Sequence, residues 1–152
     1  MDTPHPRRAA GDTRRVVVTG LGTFNPLGHD PETTWAAVCA GRCGIGPITL
    51  FDASDYETRI AGEVKEFDPV ALFGRKEARR MARMTQLALA AAGQALADAR
   101  LGLETEVLGR NAVSTPRDRI GVVVGSGMGA LDPVAEAAET LAARGPGRVS
   151  PF

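Results

Sequence analysis

Ile120-Gly121-Val122-Val123-Val124-Gly125-Ser126-Gly127-Met128-Gly129-Ala130 is the stretch on which the reading of the fold turns. From Ile120 to Val124 no polar side chain interrupts the run, the pattern of a strand buried on both faces of a parallel sheet. It empties into Gly125, Gly127 and Gly129, where the backbone is free to take positive φ and to approach another group closely. Val16-Val17-Val18-Thr19 is a second strand of the same kind, and it too runs into glycines, Gly20 and Gly22. A long alanine-rich helical segment separates the two. The pattern predicts an α/β fold in which helices layer a mostly parallel sheet and functional loops sit at strand ends.

Outward from these strands, local punctuation marks the other elements. Asp30 as N-cap, Pro31 at the first helical position and Glu32 in the first turn predict a helix through Trp35, Val38 and Cys39, stopped at Gly41. Gly44, Gly46 and Pro47 predict an irregular stretch, and Arg59 to Gly62 a short edge strand. Asp68-Pro69 opens a short helix or turn ending near Gly74. Arg75 to Arg100 reads as one helix, with Met81, Met84, Ala88, Ala91, Ala95 and Ala99 forming a continuous face small enough for close packing. Residues 101–119 read as a connector, and Pro133 to Ala143 as a helix ended by Gly145-Pro146-Gly147. Residues 1–14, polar and rich in Arg and Pro, are expected to form a disordered tail on a cytoplasmic protein, leaving 15–152 as one partial domain.

Composition excludes several classes of function. Eighteen basic and eighteen acidic residues cancel, and only 5% of residues are aromatic, so neither charge nor stacking capacity points to nucleic acid. No apolar run approaches the roughly 20 residues a membrane span needs. Cys39 and Cys43, four apart with no second pair, indicate neither a disulfide framework nor zinc. No cofactor and no metal site is expected.

The glycine loops invite a nucleotide-binding reading, but Asn25 stands where a Gly-x-Gly-x-x-Gly motif starting at Gly20 needs its third glycine. The Gly125 loop satisfies only the looser form, through Ala130, and about 20 residues follow it. A nucleophilic cysteine wants a neighbouring cation or a helix N-terminus. Cys39 instead lies late in its helix, as a small core residue would, and Cys43 sits in a loop with no histidine near in sequence. The chain thus carries no catalytic constellation of its own. Arg75, Lys76, Arg79, Arg80 and Arg83 crowd one helix, with Arg75, Arg79 and Arg83 on a single stripe and only Glu77 to offset them. A solvated face and a docking patch for an acidic partner both account for that cluster.

An ordered set of short motifs adds a resemblance. Arg14-Arg15-Val16-Val17-Val18-Thr19-Gly20-Leu21-Gly22, Pro26-Leu27-Gly28, Thr34-Trp35, Phe51-Asp52, Ala61-Gly62, Arg75-Lys76-Glu77, Arg119-Ile120-Gly121, Gly125-Ser126-Gly127-Met128-Gly129 and Ser150-Pro151-Phe152 follow one another with few gaps. In this the chain resembles the beta-ketoacyl-[acyl carrier protein] synthases, most closely the elongating, KAS II-like type of fatty-acid synthesis. The resemblance implies a thiolase-like layered α/β fold, of which this chain would be part of the N-terminal half. It implies a homodimeric enzyme that performs a decarboxylative Claisen condensation of malonyl-carrier protein with an acyl thioester. The family's nucleophilic cysteine and two histidines fall beyond the equivalent of Phe152, and neither Cys39 nor Cys43 matches the nucleophile. The chain alone is therefore expected to be inactive.

Residue by residue, the resemblance assigns Met128 to the gate of the acyl pocket and Phe152 to its dimer-facing wall. Lys76, Arg79, Arg80 and Arg148 match basic positions that meet the acidic carrier protein. Ala82, Met84 and Leu87 depart from acidic and aromatic residues common in that helix, and Gly147 from a frequent basic one. A polyketide ketosynthase, or its catalytically silent chain-length partner, shares these features. A nucleotide-binding module is the rival from another class.

Overall fold

The computed structural model describes residues 15–102 and 113–150. In chain order its elements are α1 (Pro31–Cys39), β1 (Gly46–Pro47), β2 (Ile60–Ala61), α2 (Pro69–Ala78), α3 (Arg83–Asp98), β3 (Leu101–Gly102), β4 (Val113–Ser114) and α4 (Leu131–Arg144). Single 3-10 turns occupy Arg117–Arg119 and Pro146–Arg148. β1 and β2 pair antiparallel, with Gly46 opposite Ala61, and β3 and β4 pair parallel, with Leu101 opposite Val113. Gly46 and Pro47, expected to keep their segment irregular, are thus the partner of the predicted edge strand. The expected tail, residues 1–14, lies outside the described residues.

Helix ends follow the local signals. Asp30 is the N-cap of α1, its Oδ1 accepting from the Thr33 amide at 2.7 Å, with Pro31 next in line. At the other end Gly41 takes φ 65°, Arg42 N donates to Ala37 O and Gly41 N to Val38 O, the paired bonds of a Schellman stop. Asp68 caps α2 in the same way, accepting from Val70 N and Ala71 N. Gly74, at φ 76°, puts a kink inside α2 at the predicted end of its first segment. α4 stops at Gly145, with φ 77°.

The helix expected over Arg75 to Arg100 is broken. α2 ends at Ala78, a corner runs from Arg79 to Ala82, and α3 starts at Arg83 with Ala82 extended at φ −61°, ψ 154°. The corner contains neither Gly nor Pro, so local propensity does not announce it. Side chains of α3 hold it. Gln86, only 8% exposed, donates from Nε2 to the carbonyls of Ala78 (2.8 Å) and Met81 (3.2 Å). Arg83 turns away from solvent, donating to Val64 O at 2.9 Å and Phe67 O at 3.5 Å, with its guanidinium 4.6 Å from the Phe67 ring centre. Arg75, Arg79 and Arg83 consequently do not share one exposed stripe.

The small face of α3 receives the segment that leaves Thr19. A Cβ on Gly20 would stand 2.2 Å from Ala95 O, and one on Gly22 would stand 1.9 Å from Ala91 O, so only glycine lets the chain cross here. Around that crossing Leu21 N donates to Asp98 Oδ2, Thr23 N to Gln94 Oε1, and Gln94 Nε2 to His29 O. Asn25 ties Thr23 to Thr34 through Nδ2 and accepts from Leu27 N. Phe24 packs edge-on against Phe67 with centroids 5.2 Å apart. Among the described residues the buried apolar set is only Ala37, Ala53, Phe67 and Ala78. Cys39, expected in the core, is exposed; Ala37, on the inner face of α1, is buried instead.

The two predicted long strands are not paired. Residues 15–24 and 120–126 are assigned to no strand, and Val16 is 92% and Val123 99% exposed. A strand needs a hydrogen-bonded neighbour as well as an apolar sequence, and the described residues supply none to either run. The surface area tells the same story. The chain exposes 13071 Å², whereas a folded monomer of 15.9 kDa exposes about 7,400 Å². With every residue outside the described ones counted at fully extended exposure, a surplus of about 2,500 Å² remains.

Candidate docking cleft

The Arg79–Ala82 corner, Arg83 at the start of α3, residues Asp132 to Thr140 of α4, and Arg148 and Ser150 line a cleft of about 440 Å³. Arg79 and Arg80 come from the corner and Arg148 from the 3-10 turn, about 70 positions away in the chain, and all three line it. Asp132 and Glu136 of α4 line the opposite side. Arg79, Arg80 and Arg148 are all exposed. Arg80 also lies 3.8 Å from Glu77, a solvent-exposed pair worth little on its own. The geometry suits long-range attraction of an anionic surface, because several cations face one opening while two carboxylates restrict how it is approached.

Of the residues assigned by resemblance, Arg79, Arg80 and Arg148 are therefore brought together. Lys76 is exposed one turn earlier on α2, outside the lining of this cleft. Met128 is 77% exposed in the glycine loop before α4 and lines neither this cleft nor the second one. Phe152 lies outside the described residues. Arg83 was legible only as a member of the basic cluster, and Gln86 not as a site residue at all; the available signal was a glutamine among the apolar residues of α3.

A second cleft, of about 420 Å³, lies between the Asn25–Gly28 turn, Cys43–Pro47 and Ala61–Glu66. His29 and Cys43 both line it, and the Cys43 thiol donates to Ile45 O at 3.7 Å. Glu63, 9% exposed, accepts from Thr49 Oγ1 (2.7 Å), Thr49 N (2.8 Å) and Leu50 N (3.1 Å). These bonds, led by the Thr49 hydroxyl, hold its carboxyl below the ordinary carboxylate value. Among the described residues no group of three His, Cys, Asp or Glu side chains could hold a metal ion. Among them, too, no helix is long and apolar enough to cross a membrane.

The glycines also separate the two readings of their loops. The space beside Gly20 and Gly22 is filled by the backbone of α3, which leaves no cradle for a phosphate there. The glycine crossing on α3 and the cleft that gathers Arg79, Arg80 and Arg148 do not build a dinucleotide-binding loop. Residues 13–152 match the family described as beta-ketoacyl synthase, N-terminal domain, and the chain belongs to it. The 3-oxoacyl-[acyl-carrier-protein] synthase 2 of Synechocystis sp. is 43% identical over 141 residues, covering 93% of this chain and 32% of that protein. Those of Staphylococcus aureus (strain COL) and Vibrio harveyi are each 42% identical over 139 residues, covering 91% of this chain and 31% of theirs. The solved structure of the ishigamide ketosynthase/chain length factor superposes with a TM-score of 0.67 at 33% identity, covering 91% of this chain and 32% of that one. The fold is thus thiolase-like, and this chain spans about a third of the length of the curated relatives it matches.

Proposed function

We propose that this chain is the N-terminal part of a 3-oxoacyl-[acyl carrier protein] synthase of fatty-acid elongation. The observation that carries the reading is the match of residues 13–152 to the synthase N-terminal domain, supported by relatives of that name at 42–43% identity. In the complete enzyme an acyl group passes from its carrier to a cysteine thiolate outside this chain, forming a thioester. Malonyl-carrier protein then loses carbon dioxide. The carbanion left behind attacks the thioester carbonyl, the new carbon–carbon bond forms, and the cysteine leaves as thiolate. Residues 15–152 act as one partial domain of a cytoplasmic homodimer. By itself the chain holds no nucleophile to accept an acyl group and performs no condensation.

Within that enzyme the cleft lined by Arg79, Arg80 and Arg148 docks the acidic acyl carrier protein, with Lys76 at its margin. Met128 serves as the apolar gate of the acyl pocket, a role that suits a flexible side chain whose rotamer changes with acyl occupancy. Phe152 belongs to the wall of the same pocket. The experiment is charge reversal, Arg79→Glu with Arg80→Glu, in the assembled synthase. KM for carrier-bound substrate rises about tenfold or more at low salt, and the difference shrinks as salt screens the charges. An unchanged KM at low salt removes the docking assignment.

A second reading, the polyketide ketosynthase or its silent chain-length partner, draws support from the ishigamide neighbour at 33% identity. The higher identity of the fatty-acid relatives favours the first. The residue at the nucleophile position of the remaining sequence separates an enzyme from a silent partner.

A further inference from the structure

We infer that Gln86 is a positioning residue for carrier docking: by holding the Arg79–Ala82 corner closed from α3, it sets the direction in which Arg79 and Arg80 face the cleft. The inference rests on the docking reading above and adds to it the device that shapes the site. Three observations carry it. Gln86 is buried, and its side-chain amide donates to two carbonyls, Ala78 at the end of α2 and Met81 inside the corner. Its own amide donates to Ala82 O at 3.0 Å, so the residue closes the corner from both backbone and side chain. The arginines occupy the two positions between the carbonyls it grips, on a turn where Arg79 N donates to Arg75 O (3.3 Å) and Arg80 N to Glu77 O (3.0 Å).

A corner without Gly or Pro has no local reason to persist, and a long side chain on a loose turn loses its direction through rotamer and backbone freedom. Arg83 secures the next residue along by gripping Val64 O and Phe67 O, while Gln86 grips the corner itself at Ala78 O and Met81 O. Pre-setting the two guanidinium groups lowers the ordering cost when a partner binds.

The experiment measures the dissociation constant of an apo acyl carrier protein for the full 152-residue chain at low salt, in four forms: unaltered, Gln86→Met, Arg79→Ala with Arg80→Ala, and all three changes together. Met keeps the length of the side chain and removes its donor. Gln86→Met is expected to weaken binding about three- to tenfold, and to add nothing further once the arginines are gone. Full additivity of the two effects would mean that Gln86 acts elsewhere and would overturn the inference. Loss of binding in the arginine variant with full binding in Gln86→Met overturns this inference alone. An unaltered chain that does not bind, or an arginine variant that binds as well, overturns the docking reading and this inference with it. Amide hydrogen exchange read on the unaltered and Gln86→Met chains is independent of any partner. Faster exchange at Arg79 and Arg80, with α1 unaffected, is expected; unchanged exchange there refutes the closed corner even if the affinity falls.

Discussion

Gly22 and Gly125 look alike in the sequence, each the glycine that ends or follows a valine run, yet they do different things. At Gly22 the carbonyl of Ala91 occupies the space a side chain would need, while a Cβ on Gly125 would meet nothing within 4 Å. Gly22→Ala therefore forces the 20–24 segment off α3 and puts the bonds of Gln94 and Asp98 at risk, with an expected loss of about 3 kcal/mol. Gly125→Ala in the same chain costs only a fraction of that. Urea midpoints of the two variants check the contrast, and equal shifts would mean the crossing is not tight. The cysteines carry a similar lesson. Cys39 sits at a plausible core spacing behind Trp35, but α1 turns Ala37 inward and leaves Cys39 and Trp35 facing water.

Among the elements, the β1–β2 pair is closed by one polar side chain, and the α2–α3 corner by Gln86 and Arg83. Glu63 closes the pair by accepting three hydrogen bonds from Thr49 and Leu50. Its folded-state pKa is lowered from an ordinary 4.5, so the stabilisation is fully present above that value and is lost as pH falls through the lowered one. The Thr49 and Leu50 amide resonances should therefore move together in acid, with a midpoint below 4.5. In Glu63→Gln that titration disappears. A midpoint at or above the ordinary value would show that the three bonds do not hold in solution. Short strands of two residues have little ladder of their own, which is why one carboxylate can govern whether they pair.

For the whole molecule the dominant fact is apolar surface without cover. Val16, Val17 and Val18, together with Val122, Val123 and Val124, are exposed, as are Leu131, Val134 and Leu141 on α4. A surplus of the size found here matches what an obligate interface buries, about 2,000 Å² or more. Unpaired valine-rich backbone is also a template for strand addition. The isolated chain is expected to self-associate with rising concentration, and Val17→Lys with Val123→Lys to reduce it. Sedimentation velocity decides this; a monodisperse 15.9 kDa species at every concentration would show that the exposed runs are covered within the chain.

How much of this was legible beforehand differs by the range of the interaction. The cap at Asp30, the stops at Gly41 and Gly145, the kink at Gly74 and the small face of α3 were all readable, because each depends on φ, on a side chain within a few positions, or on a helical period. The ordered motifs likewise determined the family, since each is a short stretch whose identity survives without knowledge of its neighbours in space. Tertiary structure alone decided that α3 is a separate helix, that Arg83 faces Phe67 while Arg79 and Arg80 meet Arg148, and that neither valine run is a paired strand. In each case the decision rests on contacts between elements, made or missing. A buried amide, an aromatic face or a neighbouring strand can overrule local propensity only once the fold has brought it there.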